Sequence, residues 1–138
     1  MKDQKEKIKI NILEDMKKYS MDIIYIFGSY ITGNFRQKSD VDIAYMGDLD
    51  FYEKMDLKST LESEINHDVD LVDLSKIDQN FLAEIILTGK CIYRKDEIFQ
   101  GNLEMKILSN YLTLEEDRKI VIDAIKKRGA VYGSGSVK

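Results

Sequence analysis

The sequence predicts an α/β domain: a small mixed β-sheet with helices packed on one face, followed by a helical C-terminal extension. Three observations lead there. Apolar runs of strand length and type, MDIIYIF at Met21–Phe27 and VDIAY at Val41–Tyr45, flank the segment from Gly28 to Asp40. A third segment, HDVDLVDL from His67 to Leu74, alternates apolar and acidic residues at period two. Around these lie stretches with apolar residues three and four apart, the mark of amphipathic helices. At 138 residues the chain is one domain, long enough to bury about two thirds of its unfolded surface without disulfide or metal staples. We expect a core over 1–94, a helical extension of the same domain over 95–132 and a flexible tail, GSGSVK, over 133–138.

Element by element, Asp3 to Lys18 carries Ile8, Ile12 and Met16 at spacings of four, widened by Ile10 and Leu13, and reads as a helix. Met21–Phe27 is almost continuously apolar, as a central strand covered on both faces must be. Gly28 permits a sharp turn there, Ser29 is placed to cap a short helix, and Gly33 with Asn34 ends it. The loop NFRQKS leads to the strand of Asp40 and Asp42. Met46 to Asp50 reads as a turn, with Asp50 as N-cap of a helix over Phe51 to Ile65 whose buried side holds Phe51, Met55, Leu57, Leu61 and Ile65. Period two then sets Val69, Leu71 and Asp73 against Asp68, Asp70, Val72 and Leu74. Asp78 caps a helix over Gln79 to Thr88, closed by Gly89, and Lys90 to Arg94 is a short strand. From Asp96 the pattern is helical, first around Ile98, Phe99, Leu103, Ile107, Leu108 and Tyr111, then over Leu114 to Lys127. So many apolar residues after the core is complete suggest that part of the tail packs against another chain.

Composition narrows the function classes. With 43% hydrophobic and 33% charged residues, and no apolar run of bilayer length, the chain reads as soluble and not membrane-bound. The opening MKDQKEKIKINILEDMKK mixes acids with lysines and lacks the apolar stretch of a secretory signal, so we expect a cytoplasmic protein. The net charge of −4 argues against a general nucleic-acid binder. Residues 1–89 hold 11 basic and 18 acidic side chains, whereas 90–138 hold 10 and 7, so an acidic body adjoins a mildly basic tail. Cys91 is alone and reads as a small apolar residue. His67 is alone too, with no second nitrogen ligand or nucleophile nearby, which argues against a zinc site or a triad.

The chemistry concentrates between Phe27 and Tyr45, FGSYITGNFRQKSDVDIAY. A strand that ends in Gly-Ser and opens a helix aims backbone N–H groups at a ligand above it, which makes an anion site suited to phosphate. Ten residues on, Asp40 and Asp42 lie on one face of a strand while Val41 and Ile43 face the core. Carboxylates so placed can hold a pair of hard divalent cations beside that phosphate. One of the acids of HDVDLVDL should complete the set. Arg36 and Lys38, in the intervening loop, lie within reach of a triphosphate.

At these residues the sequence resembles the polymerase-β-type nucleotidyltransferases, whose active site is marked by Gly-Ser, ten residues and Asp-x-Asp. The likeness covers roughly Met21 to Arg94, and its short length resembles the minimal members that act as antitoxins beside HEPN-domain toxins. What the resemblance implies is specific. The fold is the nucleotidyltransferase one. Asp40, Asp42 and Asp70 are the catalytic and metal-holding residues, Asp70 because it is the first Asp of a VDLVDL-like segment, with Asp73 as fallback. Gly28, Ser29, Gly33, Arg36 and Ser39 are the nucleotide-binding residues. The cofactor is Mg²⁺, as two ions, or Mn²⁺, and ATP is the substrate. Similar enzymes move AMP to a tyrosine of a partner HEPN ribonuclease. Many of them carry Arg directly after Gly-Ser and again two residues on, where Tyr30 and Thr32 stand here, which leaves phosphate neutralisation to the metals, Arg36 or Lys38. Two other readings stand beside this one: a binding antitoxin that occludes its partner without catalysis, and a nucleotidyltransferase for a small molecule such as an aminoglycoside.

Overall fold

The computed structural model describes residues 2–111. Within them the strands β1 (Met21–Phe27), β2 (Val41–Gly47), β3 (Val69–Asp73) and β4 (Lys90–Arg94) form one sheet in the order β3-β2-β1-β4. β1 is antiparallel to both β2 and β4, while β2 and β3 run parallel, so the sheet is mixed. The helices are α1 (Lys2–Met16), α2 (Ser29–Thr32), α3 (Phe51–Ile65), α4 (Gln79–Thr88) and α5 (Glu97–Tyr111). Long-range parallel pairing of β2 with β3 is possible because α3 supplies the crossover between them.

Alternate side chains of the strands feed two separate cores. Ile24, Ile26, Val41, Ile43, Tyr45, Val69 and Leu71 meet Ile8, Ile12 and Met16 of α1 and Leu57, Leu61 and Ile65 of α3. Ile23, Tyr25, Ala44 and Leu74 meet Ala83, Ile85 and Ile86 of α4 and Ile107 and Leu108 of α5. Helices therefore cover both faces, and the expectation of one covered face is corrected: β1 is apolar at nearly every position, so each of its sides needs a helical layer.

Helix α3 needs a second correction. Phe51 and Met55, expected on its buried side, are 69% and 46% exposed. At about 100° per residue Met55 falls well away from the buried stripe through Leu57, Leu61 and Ile65, whereas Phe51 lies just beyond its edge, at the first residue of the helix. Ile10 of α1 is exposed for the same reason as Met55, relative to Ile8, Ile12 and Met16. Asp50 caps α3 in a reciprocal box with Glu53, and Asp78 caps α4 through Phe81 N–H, as expected. In α5, Ile107 and Leu108 are buried within the chain, with Phe99 and Leu103 packed beside them, while Ile98 and Tyr111 are exposed. The expected helix over Leu114 to Lys127 and the GSGSVK tail lie outside the described residues. No helix among the described residues is long and apolar enough to cross a membrane.

Candidate active site

The site forms at the end of the sheet where β1 runs out and β2 and β3 begin. Phe27 pairs with Asp42 across the antiparallel ladder, and Asp42 pairs with Asp70 across the parallel one. Opposed residues on neighbouring strands project to the same face, so the Asp42 and Asp70 carboxylates stand side by side. Asp40 precedes β2 by one residue, and Val41 N–H donates to the Asp68 carbonyl at 2.8 Å, which carries the β2–β3 pairing back past it. Burial pushes the Asp42 carboxyl above the usual carboxylate range, and the charges of Asp70 and Asp40 push it further.

Gly28 makes the next contact. Its φ of 77° is a conformation that favours glycine, and a Cβ there would collide with Asp42 Oδ2. The Gly-Ser turn thus passes directly against the carboxylate at the centre of the acidic row. Gly28 also occupies the cap position of α2, where no side-chain cap bond is made, so the expectation that Ser29 caps this helix is corrected: Ser29 is its first residue. Ile31 and Thr32 N–H groups donate to the Gly28 carbonyl at 3.0 and 3.1 Å. Gly33 ends α2 in the left-handed region, at φ 89°.

The loop after Gly33 leads back to the acids. Phe35 turns into the core, and residues Arg36 to Ser39 form a turn in which Ser39 N–H donates to the Arg36 carbonyl at 3.0 Å and Arg36 N–H donates to Ser39 Oγ at 2.8 Å. Arg36 and Lys38 are exposed beside it. The structure brings Gly28, Ser29, Asp40, Asp42 and Asp70 to one end of the sheet and sets Gly33, Arg36 and Ser39 on the loop that flanks them. Tyr30 points elsewhere: its hydroxyl donates to the Lys5 carbonyl at 2.6 Å, Lys5 Nζ donates to the Tyr30 carbonyl at 2.6 Å, and its ring is buried. It cannot substitute for a phosphate-facing arginine. Asp73, the fallback carboxylate, accepts from Ser75 N–H and Oγ at 2.9 and 2.7 Å and so organises the turn after β3, in register with Tyr45 and well along the strand from the Phe27–Asp42–Asp70 row.

Sequence reading missed several supports. Glu62 of α3 accepts from Val69 N–H at 2.9 Å and from Lys58 Nζ at 2.8 Å, closing the open edge of β3 one residue before Asp70. The Glu62 bond raises the Lys58 ammonium above its ordinary value, and Asp68 and Asp70 add to the effect. An i,i+4 Lys–Glu pair is visible in sequence, but its place beside the acidic row is not. A cleft of about 460 Å³ lies between Gln37, Lys38 and Ser39 on one side and Glu62, Asn66, His67 and Asp68 on the other; it adjoins Asp40 through Ser39, and none of the three acids lines it.

Among the described residues no three His, Cys, Asp or Glu side chains are already closed around an ion-sized point. The donor set still fits a hard divalent cation. Asp40, Asp42 and Asp70 offer only carboxylate oxygens, which favour Mg²⁺ or Mn²⁺ over zinc, and the repulsion that adds to burial in lifting Asp42 is what a bound cation cancels.

The chain is similar to several known proteins. A family model described as polymerase beta, nucleotidyltransferase, matches residues 6–98. The protein adenylyltransferase MntA of Shewanella oneidensis is 33% identical over 110 residues, 76% of this chain and 76% of its own length. A crystal structure of a toxin-antitoxin with AMP-PNP superposes with a TM-score of 0.68 at 28% identity, over 86% of this chain and 98% of the other. A re-refined structure of the tri-AMPylated Shewanella oneidensis HEPN toxin in complex with MNT antitoxin superposes at 0.65 and 25% identity, over 88% and 98%.

Proposed function

The chain belongs to the polymerase β nucleotidyltransferase family, and on that premise we propose that it is a metal-dependent antitoxin enzyme. It transfers AMP from ATP to a tyrosine hydroxyl of a partner HEPN ribonuclease toxin in the cytoplasm and thereby silences it. The observation that carries this reading is the Asp42–Asp70 pair in register, with Gly28 pressed against Asp42 and Asp40 adjoining. Support comes also from the relative named as a protein adenylyltransferase and from the AMPylated HEPN toxin in a similar complex.

In this mechanism the amides at Gly28 and Ser29, with the Ser29 hydroxyl, grip the β- and γ-phosphates of ATP. Asp40, Asp42 and Asp70 hold the divalent cations and orient the α-phosphate beside them. When bound, the Mg²⁺ pair neutralises charge that develops in the transition state and lowers the pKa of the acceptor hydroxyl. The tyrosine oxygen forms a bond to the α-phosphorus in line with the breaking bond to the oxygen that bridges to the β-phosphorus; the hydroxyl proton passes to solvent water and pyrophosphate departs. Arg36 and Lys38, exposed on the flanking loop, meet the polyphosphate from the open side.

The test is incubation with α-labelled ATP and Mg²⁺, with and without a co-expressed HEPN partner, followed by mass spectrometry of both chains. Label on a partner tyrosine that disappears with Asp40→Ala supports the enzyme. Neutralisation of the toxin by Asp42→Ala as complete as by the unaltered protein would mean that occlusion suffices.

A further inference from the structure

The lone histidine has a task that neither a zinc site nor a triad would give it. His67 is 6% exposed, in the link between α3 and β3 that begins at Asn66, whose φ of 60° is left-handed. Its Nδ1 lies 2.8 Å from the Ser39 carbonyl oxygen. A carbonyl can only accept, so the ring donates from Nδ1, and Nε2 is left to accept from the Gln4 side-chain amide at 3.4 Å. Phe35 lies against the ring with centroids 4.7 Å apart, and Tyr30 packs edge-on against Phe35 at 5.5 Å. The imidazole is therefore held on both edges and across its plane.

The bond matters because Asp40 is the next residue in the chain. Asp40 lies outside β2, and its own side chain is exposed. Its backbone is located by its neighbours: the Ser39 carbonyl is tied to His67, and Val41 N–H is tied to the Asp68 carbonyl. Both anchors belong to the same link, and that link continues directly into Asp70. Residues 67 and 68 thus set the position of Asp40 relative to Asp42 and Asp70.

We propose that His67 is a positioning residue for the cation site: through its Nδ1–H bond to the Ser39 carbonyl it holds the Asp40 carboxylate where it can share a divalent cation with Asp42 and Asp70. This inference rests on the metal-dependent reading above. Loss of the bond leaves the Ser39 carbonyl without that donor and lets the peptide before Asp40 turn, which costs metal affinity before it costs the fold.

The experiment is Mn²⁺ binding to the full chain in the presence of AMP-PNP, followed by electron paramagnetic resonance, alongside thermal unfolding. His67→Phe keeps the stacking on Phe35 and removes the donor; its Mn²⁺ affinity falls about tenfold or more, the usual cost of losing a group that orients a metal ligand. His67→Asn places an amide N–H where Nδ1 stood and recovers most of the loss. His67→Gln places it where Nε2 stood and does not. Equal Mn²⁺ affinity in His67→Phe and the unaltered chain overturns the inference, as does equal loss in the Asn and Gln variants; if the Phe variant does not fold, that Asn–Gln comparison decides. Absence of Mn²⁺ binding by the unaltered chain overturns the metal-dependent reading itself, and this inference with it.

Discussion

The two faces of the sheet are made by the same strands and come out differently. On the side of α1 and α3, β2 contributes Val41, Ile43 and Tyr45, all buried under helices. On the side of α4 and α5, the same strand contributes Asp42, Ala44 and Met46, and only Ala44 and Met46 meet the helical layer. Asp42 is left half-buried at the uncovered end, with Asp70 beside it. The difference teaches that the site is not an addition to the fold. Period-two alternation supplies one apolar and one mixed face, and the acids become a site where the second helical layer stops.

That contrast breaks most visibly at the acids. Asp42→Ala or Asp70→Ala is expected to lower AMP transfer about a thousandfold, the equivalent of several kcal/mol of metal-assisted stabilisation, with the unfolding transition retained; kinetics beside calorimetry checks both halves. One residue along and on the opposite face, Ile43→Ala should do the reverse in kind: it empties a fully buried position and costs about 2–5 kcal/mol of stability, read from denaturant midpoints.

A smaller effect separates the charge of Asp42 from its shape. Its raised pKa means that the folded state prefers the protonated carboxyl, so the favourable contribution is complete below the ordinary aspartate value and is lost as pH rises through the raised one. Asp42→Asn in the presence of chelator should therefore unfold at a higher temperature than the unaltered chain at about pH 7 and lose that advantage toward about pH 4. An advantage that grew on acidification would contradict the assigned direction. The least effect is expected at the far end of α3: Phe51→Ala and Tyr52→Ala, at positions 69% and 81% exposed, should shift stability within about 0.5 kcal/mol.

Much of the fold is legible in the sequence, and the failures have physical causes. The spans of β1, α3 and α4 follow from apolar runs and from Asp50 and Asp78 as caps, signals that lie within a few residues of one another. Period two sets Asp42 on the face opposite Val41 and Ile43, as the structure has it, but Asp40 falls one residue before β2, where strand alternation no longer assigns a face; the choice of Asp70 among the acids of its strand leans on family resemblance. Met55 is misplaced when apolar character is weighed above angular position on the helix, and Phe51 because it opens the helix just beyond the edge of the buried stripe. Helices on both faces are implied by the apolar continuity of β1, but only packing shows that α4 and α5 form the second layer. The bond of His67 to the Ser39 carbonyl joins a side chain to a backbone group 28 residues away, and no local pattern announces such a pair.

The most direct test is a crystal of the chain grown with AMP-PNP and Mn²⁺, with anomalous difference maps collected for manganese. The account predicts two peaks about 4 Å apart among the carboxylates of Asp40, Asp42 and Asp70, with the triphosphate lying along Gly28 and Ser29. Nucleotide bound with no manganese between those three side chains, or manganese held elsewhere on the chain, would contradict it.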